Sequence, residues 1–251
     1  MPAELLVTQY RHSLVAVSFV ISVLGAYTAL WVMSSPKLAS KGRISWFNTA
    51  LAGLALGGVG IWSMHFLGML AFDATVSVGY RPLETAVSLV AAVVVSTLAL
   101  GYMAAQPFSM RRLWVAGPLA GLGVAVMHYL GMYGMRFGGY FEWYWALVLL
   151  SVLIAVTAAT AALWLAFHAR KPLYQAGAAL LMGAAVCSMH YTGMAAASLL
   201  CTTPNRGAGT TGLLRPDDLL ACVIVLALGV LTMVSCDVML QRMQRTNRPV
   251  G

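Results

Sequence analysis

The chain has 251 residues, 61% of them hydrophobic and 9% charged, with a formal net charge of +8 and a mean hydropathy of +0.83. A soluble domain carries about 25% charged residues, so this composition points to a membrane protein. The basic residues fall one or two at a time between apolar runs, which argues against a nucleic-acid-binding face and for a role in membrane orientation.

Met1 to Gln9 holds no Lys or Arg and has Glu4 where a cleaved signal would be basic, so the first apolar run is expected to be a retained span. Seven runs are long enough to cross a bilayer, at 13–33, 46–71, 83–105, 113–135, 144–168, 173–200 and 219–240. Turn formers and charges separate them, such as Ser34-Ser35-Pro36-Lys37, Arg81-Pro82, Gln106-Pro107, Gly138-Gly139 and Arg170-Lys171-Pro172. Backbone groups in hydrocarbon must be satisfied within the segment, so the spans are helices and the fold class is an all-α membrane protein with seven transmembrane helices. Residues 1–241 are expected to form this domain, and 242–251 to begin a cytoplasmic linker to an output domain beyond the sequence.

The loops after spans 1, 3 and 5 and the tail after span 7 carry ten basic residues: Lys37, Lys41, Arg43, Arg111, Arg112, Arg170, Lys171, Arg242, Arg245 and Arg248. The opposite side carries five: Arg11, Arg81, Arg136, Arg206 and Arg215. The positive-inside rule places the N-terminus outside and the C-terminus in the cytoplasm. Spans 2, 4 and 6 then all run outward.

Those three spans carry a repeat. Met64-His65-Phe66-Leu67-Gly68-Met69, Met127-His128-Tyr129-Leu130-Gly131-Met132 and Met189-His190-Tyr191-Thr192-Gly193-Met194 place their histidines 63 and then 62 residues apart. The histidines lie at matched depth, about 25 Å up from the start of each span. Each period contains an even number of spans, so the copies are three parallel two-helix repeats about a pseudo-threefold axis, with span 7 outside the repeat. Small residues recur seven, five and minus three residues before each histidine: Gly58, Gly121 and Gly183; Gly60, Gly123 and Ala185; Gly68, Gly131 and Gly193. Such residues let membrane helices approach closely.

Ionisable residues inside a membrane usually mark function. Imidazole with thioether is a ligand pair for soft or borderline metals, copper above all. No Asp or Glu lies in spans 2, 4 or 6, which disfavours Mg²⁺ and Ca²⁺. Three histidines also suit zinc, but thioether is an unusual zinc ligand. Haem would leave one copy unexplained. The candidate ligands are His65, His128 and His190 first. The methionines four residues on, Met69, Met132 and Met194, share the histidine face and come second. The preceding Met64, Met127 and Met189 come third. A shared site requires ring nitrogens roughly 3–4 Å apart; the alternative is a structural histidine network at a packed centre. No nucleophile–base pair accompanies the cluster, so no catalytic residue is expected.

These motifs resemble the MHYT domain, a bacterial integral-membrane sensor module. Met189-His190-Tyr191-Thr192 matches its four-residue signature in full; the second copy departs at Leu130, and the first at Phe66 and Leu67. Every Met and His is kept, but three hydroxyls are lost. The resemblance implies seven spans and a copper site for a diatomic gas (O₂, CO or NO); copper or redox state is the other signal left open, and the expected location is the bacterial inner membrane. It also implies fusion or partnership with a cytoplasmic cyclic-di-GMP output domain, where any diguanylate cyclase or phosphodiesterase activity would lie. The expected partners are the lipid bilayer, the gas and that domain, with a homodimer left open. A Cu(I) transporter or carrier is the alternative reading.

Overall fold

The computed structural model describes residues 4–5, 8–34, 39–40, 43–74, 76–202 and 212–246. Lys37, Lys41, Arg206 and Arg248 of the orientation argument lie outside them. Among the described residues, seven helices are long and apolar enough to cross a membrane. They are α1 (His12–Met33), α2 (Trp46–Ala71), α3 (Pro82–Ala104), α4 (Met110–Gly134), α5 (Trp145–His168), α6 (Pro172–Ala195) and α7 (Pro216–Thr246). Proline opens α3, α6 and α7, where its missing N–H costs nothing. The first five agree with the predicted spans to within three residues. The sixth is corrected: α6 stops at Ala195, and Ala197–Cys201 is a strand. Those residues are as apolar as the helix before them, so hydropathy alone carried the predicted span across the boundary.

Short strands tie the helices into pairs at the end of the bundle where the motifs lie. Strands β1 (Glu4–Leu5), β2 (Thr8–Tyr10), β5 (Phe72–Ala74), β6 (Gly79–Tyr80), β7 (Met135–Arg136), β8 (Gly139–Trp143) and β9 (Ala197–Cys201) gather there, and β3 (Ala39–Ser40) pairs with β4 (Arg43–Ile44) at the other end. β2 pairs with β5, β6 with β7 and β8 with β9, all antiparallel. Each pair joins the start of an odd helix to the end of the even helix that follows. Three equivalent backbone bonds close the same joints: the N–H groups of Arg11, Arg81 and Tyr144 donate to the carbonyls of Ala71, Gly134 and Ala196 at 2.8, 2.9 and 2.8 Å. The structural repeat is thus a helical hairpin stapled by two strands. β1 adds to the edge of β9.

The six helices of the three hairpins form a closed ring, each packed on its sequence neighbours and α6 returning to α1. The even helices also touch one another at the centre. α7 lies outside the ring against α2 and α1. It makes α2 the most enclosed span, 89% buried against 17% for α5.

The glycines set the helix spacing. A Cβ on Gly121 would overlap the Val156 backbone of α5, and one on Gly183 would overlap Val23 of α1. The equivalent in α2 is Gly57, against Ala92 of α3. Gly57 lies eight residues before its histidine and the other two lie seven before theirs. Gly58, expected from its spacing to take this place, meets Val93 and Leu226 side chains instead. The extra residue is absorbed by a change of pitch: α2 is π-helical over Leu54–Ser63, between α-helical turns at Trp46–Gly53 and Met64–Ala71. A π segment takes up an insertion without breaking the helix. Ser63 Oγ donates to the Gly58 carbonyl at 3.0 Å and Ser22 Oγ of α1 to the Gly60 carbonyl at 2.8 Å, satisfying backbone acceptors there.

Candidate metal centre

The three motif histidines meet on the axis. All are buried, with exposures of 1%, 0% and 0%. Their Nδ1 atoms form a triangle with edges of 3.1 Å (His65–His190), 3.1 Å (His65–His128) and 3.4 Å (His128–His190). The ring planes stand nearly edge to face, at 70°, 84° and 87°. The predicted convergence is therefore present.

Each imidazole is seated by a glycine of a neighbouring repeat. A Cβ on Gly131 would overlap Nε2 of His65, one on Gly193 would overlap Nε2 of His128, and one on Gly68 would overlap Nε2 of His190. The three contacts run in one direction round the axis. The motif glycine thus leaves the space into which the next imidazole fits, and this dictates glycine in all three copies.

A second ring of contacts fixes helix rotation. Tyr129 and Ser151 of α5 share a hydrogen bond of 2.5 Å, and Tyr191 and Ser18 of α1 share one of 3.0 Å. The first copy has Phe66 and no hydroxyl. There Trp62, one turn earlier on α2, donates its indole N–H to Ser88 Oγ of α3 at 3.0 Å, and its ring packs 4.8 Å from Phe66. Ser18, Ser88 and Ser151 are buried, and each donates its own proton to the carbonyl three residues back. Sequence reasoning missed these serines and Trp62. A signal existed: Ser88 and Ser151 each follow the third motif residue by 22 positions. Ser18 shows no such spacing because ring closure brings it from the other end of the chain.

The triangle is frustrated as a hydrogen-bond network. A neutral imidazole presents either a proton or a lone pair at Nδ1. Three such atoms in mutual contact must include at least one like pair. The Nε2 atoms are buried and without a partner in all three rings, each at a cost of about 1–3 kcal/mol. A central cation resolves the triangle. Edges of 3.1–3.4 Å put a point equidistant from the nitrogens about 1.9 Å from each, near the ~2.0–2.1 Å of a metal–imidazole bond. Among the described residues, these histidines form the one cluster of His, Cys, Asp or Glu able to hold a metal ion.

The motif methionines are all buried: Met64, Met69, Met127, Met132, Met189 and Met194. Met69 lines a cavity of about 330 Å³ toward the strands, with Tyr80, Met135 and the Arg11–Asp73 ion pair, while Met189 lines a cavity on the other side of the triangle. The remaining histidines are exposed: His12 at the start of α1 and His168, which stacks on Trp164. The four cysteines are free.

Seven membrane-length helices, a threefold repeat and an axial histidine cluster define a multi-pass membrane module built around a centre able to hold a metal. The chain belongs to the MHYT family: the model described as a bacterial signalling protein N-terminal repeat matches residues 58–116, 121–179 and 183–244. The first two copies run from an even helix through the following odd one, and the third runs from α6 into α7, the helix outside the ring, in place of α1. Among its relatives, the bifunctional diguanylate cyclase/cyclic di-GMP phosphodiesterase MucR of Pseudomonas aeruginosa is 42% identical over 216 residues, 81% of this chain and 31% of MucR. The cyclic di-GMP phosphodiesterase NbdA of the same organism is 38% identical over 232 residues, 89% of this chain and 28% of NbdA. An uncharacterized signalling protein of Caulobacter vibrioides is 33% identical over 230 residues, 90% of this chain and 27% of that protein. The chain spans about 30% of the length of these relatives. No solved structure matches it.

Proposed function

We propose that this chain is the membrane sensory part of a cyclic-di-GMP regulator, that His65, His128 and His190 hold copper, and that its signal is a diatomic gas (O₂, CO or NO) or copper or redox state. The observation that carries the metal is the Nδ1 triangle, whose edges leave a point within metal–imidazole reach of all three nitrogens. The choice of copper rests on chemistry. Among the described residues, no carboxylate is buried, which disfavours hard cations. Each motif carries two buried thioethers, which favour a soft one. Met69, Met132 and Met194 are the next ligand candidates, then Met64, Met127 and Met189. A bound copper ion would supply a coordination position for the gas. The protein's part is to hold the imidazoles through Gly68, Gly131 and Gly193 and to fix helix rotation through the three serines. Any change at His65 passes into α2, on which α7 is packed.

The loop charges support an N-terminus outside and a C-terminus in the cytoplasm, with the chain in the bacterial inner membrane. α7, whose last turn already includes the start of the expected linker at 242, then leads to a cytoplasmic output domain, fused or in a partner. The relatives' printed names, with the fraction of their length that matches, support placing any cyclase or phosphodiesterase activity there. A homodimer would fit such an output.

Copper analysis of protein purified anaerobically from copper-replete cells tests the reading. Stoichiometric copper in the native chain, lost in the His65→Ala/His128→Ala/His190→Ala variant, is the expected result. A native chain free of metal under those conditions would refute it.

A Cu(I) carrier is the second reading, favoured by one observation. Met33, Met182 and Met189 line the cavity on one side of the triangle, and Met69 and Met135 line the cavity on the other. Radiolabelled copper entering proteoliposomes well above background would establish it over the sensor.

A further inference from the structure

On the side of the histidines away from the strands lies a cavity of about 60 Å³. All six ring helices line it and α7 does not, so it sits inside the ring on the pseudo-threefold axis. Its ceiling includes Ile61, Val124 and Val186, which precede His65, His128 and His190 by four residues each. That is one helical turn, so the cavity begins directly beneath the histidine layer. Alanine is its commonest lining residue, as at Ala99 and Ala120, the rest are larger aliphatic side chains, and Ser96 is its one polar residue.

This void is unlike its surroundings. Elsewhere the ring helices pack so closely that a single Cβ would overlap a neighbouring backbone, as at Gly25, Gly57 and Gly121. A cavity in a packed interior destabilises in proportion to its volume. Leucine in place of either alanine would close it. A water molecule needs two to four polar partners, and one serine cannot supply them, so the space excludes water. Its volume is under half that of the ~150 Å³ apolar cavity known to take benzene or xenon. What fits is a molecule of one to three heavy atoms with no hydrogen-bonding demand.

We propose that the axial cavity is a binding site for a small apolar gas such as dioxygen. The site is separate from the histidine triangle and stands whether or not the triangle holds metal. An occupant would press on the ceiling residues and on Met189, which adjoins His190, so the site could report its filling to the motif layer.

The test uses the full chain in lipid nanodiscs with ¹³C-methyl alanine, equilibrated under oxygen or nitrogen. Paramagnetic relaxation by oxygen should be at least about threefold faster at Ala99 and Ala120 than at Ala52, which is buried but outside the cavity. Excess xenon should compete the effect away, and Ala99→Leu should abolish it at Ala120. The triple histidine variant should retain it, which separates this proposal from the metal reading. Relaxation at Ala99 and Ala120 equal to that at Ala52, or unchanged by xenon, would overturn the proposal. The xenon competition needs no variant, so it stands even if Ala99→Leu fails to fold.

Discussion

Replacing Gly131 by alanine adds one methyl group at the point where His65 Nε2 rests. Carbon and nitrogen prefer separations near 3.5 Å or more, so the imidazole must retreat by about 1 Å. The His65 ring cannot swing freely: it is 1% exposed and packed edge to face against Phe66, His128 and His190. Overpacking of this kind costs about 1–3 kcal/mol, partly offset by the better helix propensity of alanine, at most about 1 kcal/mol. A net loss of about 1–2 kcal/mol is expected in equilibrium unfolding in detergent. If the triangle holds copper, affinity should fall by about 10–100-fold, the usual effect of disturbing the groups that orient a ligand. Gly177→Ala is the control, because a Cβ there meets nothing within 4 Å. The decisive comparison is pairwise. In a His65→Ala background the methyl has room, and the cost of Gly131→Ala should vanish. In a His128→Ala background it should persist, because His128 rests on Gly193. Equal costs in the two backgrounds would refute the cyclic seating of the imidazoles, with or without metal.

Two further predictions concern the surroundings of the centre. Trp62→Phe removes the donor to Ser88 and should cost about 1–2 kcal/mol; adding Phe66→Tyr should recover part of it by restoring the hydroxyl that Tyr129 and Tyr191 carry, and no recovery in unfolding measurements would deny that the three copies are equivalent. Tyr10, on β2 outside the spans, has its phenol pushed up to about 12 by burial and by the neighbouring Tyr191. An unfolded phenol ionises near 10, so stability is untouched below about pH 10 and declines from there to about pH 12. A difference titration of tyrosinate absorbance between the native chain and Tyr10→Phe checks it, and ionisation near pH 10 would contradict the burial.

The repeat made the fold and the centre legible to an unusual depth. His65, His128 and His190 recur at one spacing within apolar spans of one direction, and these two facts force convergence. Gly68, Gly131 and Gly193 could be read as close-packing residues, though not as seats for imidazoles, because side-chain direction is a property of the assembled ring. The end of α6 was hidden because Ala197–Cys201 is apolar whether it spans lipid or pairs with β8. The π segment of α2 left a trace in the doubled glycine Gly57-Gly58, but only the contact with Ala92 decides which glycine faces α3. Ser18 was out of reach, since its partner Tyr191 is 173 residues away.

Closure of the ring by α1 against α6 has a consequence for biosynthesis. α1 is made first, yet its second neighbour begins at Pro172, some 140 residues after α1 ends. At about 5–20 residues per second, that is a delay of roughly 7–30 s. Through this interval α1 waits with one flank open to lipid, and α2 and α4 can bring together only His65 and His128. The third imidazole and the partner of Ser18 arrive on the same helix, so the centre and the ring are completed in a single late step. A ribosome stalled before α6 would leave a paired remnant with no axis and no triangle, which makes the last hairpin the point at which quality control could tell a closed ring from an open one.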